Sequence, residues 1–220
     1  VIFIPKWQPK SIDNKHLNES KLSTVWKNPL FKSLVPMGFF SYGGLFAIQT
    51  LWAGPWMIRV SGYTPEESAQ GLFIIYLCML ISFLVWGYFV PKFSKNVNDA
   101  IRLLKIGAPL NLFVLVLIIY LGPKAGSIHW ALFIVSSIFL SLTQPAVGMA
   151  FSLSNAGKAL TSFNLLIFIG AFFIQWIIGI IIDIGISFNY SEINSFKFAM
   201  LFVLITSSLS YLFFLKKTKT

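Results

Sequence analysis

The stretch ALTSFNLLIFIGAFFIQWIIGIII, Ala159–Ile182, decides how this chain folds. It carries no charged residue and is closed by Lys158 on one side and Asp183 on the other. About 20 apolar residues suffice for a helix to cross the ~30 Å hydrocarbon core of a bilayer. Inside lipid no water is available to bond the backbone, so a run of this length satisfies itself as a helix. The alternating polarity of a barrel wall is missing. Further uncharged stretches occupy Ser33–Ile58, Ser68–Pro91, Ile106–Pro123, Ala125–Gly157 and Phe198–Leu215. The fourth run in chain order has room for a span and part of a loop, and its helix centres on 128–151. The expectation is an all-α membrane protein whose domain, 33–220, holds six transmembrane helices at about 34–56, 69–90, 106–122, 128–151, 161–183 and 197–215.

Composition agrees. Hydrophobic residues make up 56% and charged residues 11% of the chain, where a soluble domain carries roughly 25% charged residues. The twenty-three Phe suit a surface bathed in lipid. A net charge of +10 raises the question of nucleic acid, but the basic residues form no single patch interleaved with aromatics. They fall between the apolar blocks. Fourteen of the seventeen lie before the first span, in the segment 92–105, at Lys158 or after Leu215; Arg59, Lys124 and Lys197 lie on the other side. Under the positive-inside rule this asymmetry places both termini in the cytoplasm, the protein being multi-pass in the cytoplasmic (inner) membrane. Trp52, Trp56, Tyr63 and Trp130 stand near the outer ends of their spans, and Trp86 and Tyr88 near an inner end, as interfacial aromatics do. Cys78 is the single cysteine, so no intrachain disulfide forms.

Residues 1–32 differ from the rest. Val1–Ile4 is apolar and stops at Pro5 and Lys6; a polar Lys/Asn/Ser-rich stretch then runs to Lys32. With no initiator Met and no signal peptide, the expected reading is the end of a preceding helix and a cytoplasmic basic linker. An amphipathic surface anchor is the alternative.

Catalytic signatures are missing from the sequence. His16 and His129 have no second histidine nearby, and no HExxH, GxSxG or phosphate loop occurs. The reading is a protein that is not an enzyme, with no cofactor and no metal. What remains is a set of neutral polar residues. Tyr42, Phe46, Gln49 and Ala53 follow i, i+4, i+7, i+11 in the first span; Ser137, Ser141 and Gln144 do so in the fourth, and Asn164, Phe168, Ala171 and Gln175 in the fifth. An amide in hydrocarbon faces protein or water rather than lipid. Three such stripes point to a shared polar cavity, with interhelical hydrogen bonding as the competing role. Gln49 precedes Gly54-Pro55 and Gln144 precedes Pro145; interrupted helices beside mid-membrane polar groups are a pointer to a transport site. Gly38, Gly43, Gly44, Ala47, Gly170, Ala171 and Gly179 permit close helix packing.

With these features in view, the chain resembles the C-terminal six-helix half of a major facilitator superfamily transporter of bacterial type. The loop after the second span, Gly87-Tyr-Phe-Val-Pro91-Lys92-Phe-Ser94-Lys95, is similar to the superfamily's loop motif at Gly87, Lys92 and Lys95. Pro91 stands where that motif has an acid and Ser94 where it has a glycine. The stretch Gln49–Trp56 resembles the end of helix seven in a bacterial group. The run from Gly157-Lys158-Ala159 through Asn164, Gly170 and Gln175 to Asp183 resembles helix eleven. The resemblance implies a 3+3 inverted repeat. It also implies that spans one to six are helices seven to twelve, with a partner six-helix half lying before them, and that this half rocks about a central cavity.

The function expected is secondary active transport of a small solute by alternating access, with the lipid bilayer, the N-terminal half and the solute as partners. The path candidates are Tyr42, Gln49, Trp52, Ser141, Gln144, Asn164 and Gln175. The alternative is a non-transporting six-helix module such as an anchor, assembly factor or receptor subunit.

Overall fold

A computed structural model describes residues 22–218; the expectations for residues 1–21 lie outside the described residues. After a short helical segment, Leu22–Lys27, six helices among the described residues are long and apolar enough to cross a membrane. They are α1 Pro29–Arg59, α2 Pro65–Phe93, α3 Val97–Lys124, α4 Ser127–Met149, α5 Leu153–Ser187 and α6 Glu192–Lys217. No strand occurs among the described residues.

Local chemistry sets where these helices begin. The Asn28 side chain accepts from the Phe31 N–H at 3.0 Å, with Pro29 in the first turn. Thr64 and Glu67 form a reciprocal capping box at α2, their side chains taking each other's backbone N–H groups at 3.2 and 2.8 Å. The Asn96 side chain caps α3 and that of Ser191 caps α6. Each cap satisfies an N–H that no helical partner can reach. Gly122, at φ +55°, turns the chain at the end of α3, a conformation glycine adopts without steric cost.

Packing then divides the helices. α1 packs against α5 and α6, and α4 against α2, α3 and α5. Small residues bring α1 and α5 together as anticipated: a methyl group added at Gly43 would lie 2.8 Å from the Ala171 nitrogen. On the other side of α1, Gly44 faces Val203 of α6. α2 is the outlier. Only 6% of its apolar stretch is buried against the rest of the bundle, compared with 56% for α4.

The loops gather at two ends. At one, the Ser61 hydroxyl and the Trp56 indole N–H both donate to the Ala125 carbonyl, at 2.9 and 3.2 Å, and Arg59 lies 3.6 Å from Glu192. At the other, the Lys105 ammonium donates to the Thr218 carbonyl at 2.7 Å and Tyr211 donates to the Lys105 carbonyl. The helix ends rich in lysine are those at the second end.

Trp56 anchors the first end. It is fully buried, with its ring edge-on to Trp130 at 5.7 Å and to Phe196 at 6.4 Å. Trp56→Ala removes this packing and leaves a cavity, at a cost of about 3 kcal/mol or more. Thermal unfolding of the detergent-purified protein should show the loss, and an unchanged melting temperature would contradict it.

Candidate functional site: a polar face across α1, α4 and α5

α1 is not a uniform helix. It widens into π turns over Met37–Tyr42 and Ile48–Trp52, where the Ala53 N–H donates to the Ile48 carbonyl five residues back. α4 tightens into a 3-10 turn over Ser137–Leu142. Departures of this kind inside helices often mark functional sites. They also correct one expectation. Gly54-Pro55 does not break the first span, because Ala53–Arg59 is regular α-helix. Proline lacks the N–H that would bond four residues back, and the wide turn just before it absorbs the mismatch while the helix continues. At Pro145 likewise α-helix runs over Thr143–Met149, with the irregularity upstream.

The polar residues sort into two rungs. In the first, the Gln144 amide donates to the Asn164 side-chain oxygen at 2.8 Å, joining α4 to α5. In the second, the Gln175 amide donates to the Thr50 hydroxyl at 2.8 Å, joining α5 to α1. The Trp52 indole N–H donates to the Gln175 backbone carbonyl at 3.2 Å, which ties this rung to α1 a second time. Eleven residues of α5 separate Asn164 from Gln175, or roughly 16 Å along the axis. Between the rungs lies an aromatic band: Tyr42 against Phe46 at 5.4 Å, and Phe46 against Phe168 at 6.0 Å.

Both rungs lie at the surface of the bundle. Asn164 and Thr50 are exposed, Gln144 and Gln175 half-buried, and Phe168 is 62% exposed.

Of the remaining candidates, Tyr42 belongs to the aromatic band and the other two sit elsewhere. Gln49 turns toward α2, where its amide donates to the Met79 sulfur at 2.9 Å and its backbone carbonyl accepts from Tyr76 at 2.9 Å. The Ser141 hydroxyl donates to the Ile138 carbonyl of its own helix at 2.6 Å. Tyr42 is buried, with 7% exposure. The structure therefore brings Gln144 to Asn164 and Gln175 to Trp52, but joins Gln49 and Ser141 to neither pair. Sequence reasoning passed over Thr50, which neighbours Gln49, and Tyr76.

Of the loop-motif residues, Gly87 and Lys92 lie inside α2, which runs on to Phe93, rather than in a loop, and Gly87 has open space around its α-carbon. The Lys92 ammonium stands 4.0 Å from the centre of the Tyr88 ring, a cation–π contact. The Lys95 N–H donates to the Asp99 carboxylate at 3.1 Å. Among the described residues, no three His, Cys, Asp or Glu side chains gather as metal ligands would.

A six-helix membrane domain with a polar, aromatic-banded face on three of its helices is the class these features define. The comparison with solved structures gives that class a particular form. The chain superposes on the crystal structure of a major facilitator superfamily transporter, FucP, in the outward conformation, with a TM-score of 0.66 and 16% sequence identity. The match covers 96% of this chain and 48% of FucP, so the chain spans about half the length of that transporter. It has the fold of a six-helix portion of a major facilitator superfamily transporter. No family model matches the sequence, and no curated protein matches it.

Proposed function

We propose that this chain is one half of a secondary active transporter, whose polar face on α1, α4 and α5 lines the path of a small solute. The carrying observation is the pair of amide rungs on the outside of the bundle. A Gln or Asn side chain set in hydrocarbon faces protein or water. Rungs that stand within the spans yet at the bundle surface therefore call for a covering of protein, water or both. A second six-helix domain enclosing a wet cavity supplies both. The low burial of α2 favours the same partner, and so does the 48% coverage of FucP.

In this reading Gln144, Asn164, Gln175 and Thr50 are the hydrogen-bonding groups of the path, and Trp52 braces the outer rung. Gln49 and Tyr42 shape the wall behind it, and Ser141 relieves the irregular backbone of α4. Alternating access moves this domain against its partner half, with α1 and α5 sliding on their glycine contacts. The lysine-rich end faces the cytoplasm of an inner membrane, following the charge asymmetry. The chain performs no covalent chemistry. No acid lies in the middle of a described span: Glu66, Glu67, Asp99 and Glu192 occupy first turns and Asp183 the last stretch of α5. A coupling proton therefore has its carrier in the partner half, or the solute moves without one.

Proteoliposomes carrying the full-length protein, offered a panel of small neutral polar solutes, test this. Saturable uptake of at least one solute, lost on Gln144→Leu/Gln175→Leu in protein that still folds, is expected. Uptake that survives this double substitution in full contradicts the assignment of the path.

A further inference from the structure

The lysine-rich end carries a second feature, apart from the polar face and independent of the transport reading. A cleft of about 190 Å³ opens between the start of α1 and the end of α6, lined by Lys27, Lys32, Lys217 and Phe213. It adjoins a larger hollow of about 500 Å³, which shares Lys217 and adds Arg102 and Lys105 from α3. Among the described residues, no acidic residue lines either space and no ion pair engages these cations. The cleft does not end at the charges. Phe213 also closes the top of an apolar furrow of about 230 Å³ along the α1–α6 seam, walled by Pro36 and Phe40 on one helix and Leu209 and Thr206 on the other.

The two parts differ in chemistry and have a common wall. Cations that lack acidic partners at a membrane surface attract anionic headgroups, each contributing about 1 kcal/mol there. A furrow that begins at the same point and runs into the hydrocarbon takes an acyl chain. Its length fits one leaflet: Lys217 to Thr206 is eleven residues of helix, roughly 16 Å, against about 15 Å for half of a ~30 Å core. A free phosphate or a soluble anion leaves the furrow unused. A phospholipid with a net negative headgroup uses both.

We infer that the α1–α6 seam binds an anionic phospholipid, its phosphate between Lys32 and Lys217 and one acyl chain along Pro36, Phe40, Leu209 and Phe213. The site tethers the start of α1 to the end of α6 at the bilayer surface.

Native mass spectrometry of the full-length protein in a neutral detergent, with dioleoyl phosphatidylglycerol and dioleoyl phosphatidylcholine in equal amounts, tests the site. Phosphatidylglycerol should be retained preferentially. Lys32→Gln/Lys217→Gln should weaken its retention about thirtyfold, from two lost lysine contributions. Lys32→Arg/Lys217→Arg should keep it, and so should Lys124→Gln/Lys197→Gln, which removes the same charge at the opposite end. Leu209→Trp fills the furrow and should also weaken retention severalfold. Equal retention of the two lipids, or equal retention by wild type and Lys32→Gln/Lys217→Gln, overturns the inference. Displacement of phosphatidylglycerol by millimolar inorganic phosphate overturns it too, because the site is then one for a free anion. Full retention in Leu209→Trp removes the furrow from the proposal and overturns the phospholipid assignment.

Discussion

Gly170→Leu is expected to be among the most destabilising single substitutions in this bundle, while Gly87→Leu should be nearly silent. A carbon added at Gly170 runs into the Phe39 carbonyl oxygen and lies 2.9 Å from the Phe39 α-carbon. Both obstacles are backbone, so no side-chain rotation relieves them, and α1 and α5 have to separate along their length. Overpacking of a tight core costs typically 1–3 kcal/mol and occasionally more, and a clash with backbone belongs at about 3 kcal/mol or above. Gly107 is comparably tight, because a carbon added there would run into the Phe139 Cβ and Cγ, and Cβ is fixed to the backbone. At Gly87 nothing lies within 4 Å. Melting curves of the three leucine variants in one detergent check the order. A Gly170→Leu protein as stable as Gly87→Leu would mean that α1 and α5 do not meet at this contact.

Uptake by Gln175→Leu and by Gln144→Leu is expected to fall about tenfold each, and by the double variant about a hundredfold. Each substitution removes a group able to hydrogen-bond a solute; it leaves the Asn164 oxygen without its donor, or Thr50 with only its own bond to the Phe46 carbonyl. A hydrogen bond contributes roughly 0.5–1.5 kcal/mol net, and a stranded partner adds to the loss. The rungs are roughly 16 Å apart along α5, and effects at sites more than about 10 Å apart with no shared partner usually add. Initial uptake rates in proteoliposomes at low solute concentration measure this. Thr50→Val should repeat much of the Gln175→Leu effect, since it strips the acceptor from the same rung. Wild-type rates in both single variants would reduce the rungs to helix-to-helix bonding.

Much of the fold was legible because the bilayer leaves few choices. A run such as Ala159–Ile182 has to be a helix, and its length marks the span. The glycines of α1 and α5 announced a close approach, and that approach occurs at Gly43 and Gly170. The polar face was legible only in part. Asn164 and Gln175 keep the positions their spacing implied, because α5 is a regular helix from Leu153 to Ser187. α1 is not regular. A π turn inserts extra residue per turn, and each residue rotates the face by about 100° in the period used to read the stripe. Thr50 rather than Gln49 therefore meets Gln175, and Gln49 swings to α2. Proline at 55 and 145 was a real signal of irregular backbone, but its effect appears upstream as a π turn and a 3-10 turn. No pattern of apolar residues encodes that displacement.

Transport along this path requires that the face carrying both rungs meets water within the membrane. In a Cys78→Ser background, single cysteines at Thr50, Asn164 and Phe168 can be exposed to a membrane-impermeant maleimide in intact membranes. Val116 on α3 and Ile205 on α6, both exposed apolar positions, serve as lipid-facing references. Labelling at 50, 164 and 168 with none at 116 and 205 is the expected result. Protection at all three positions, or labelling no faster than at 116 and 205, would show that the face is covered by lipid or dry protein and would contradict the transport path.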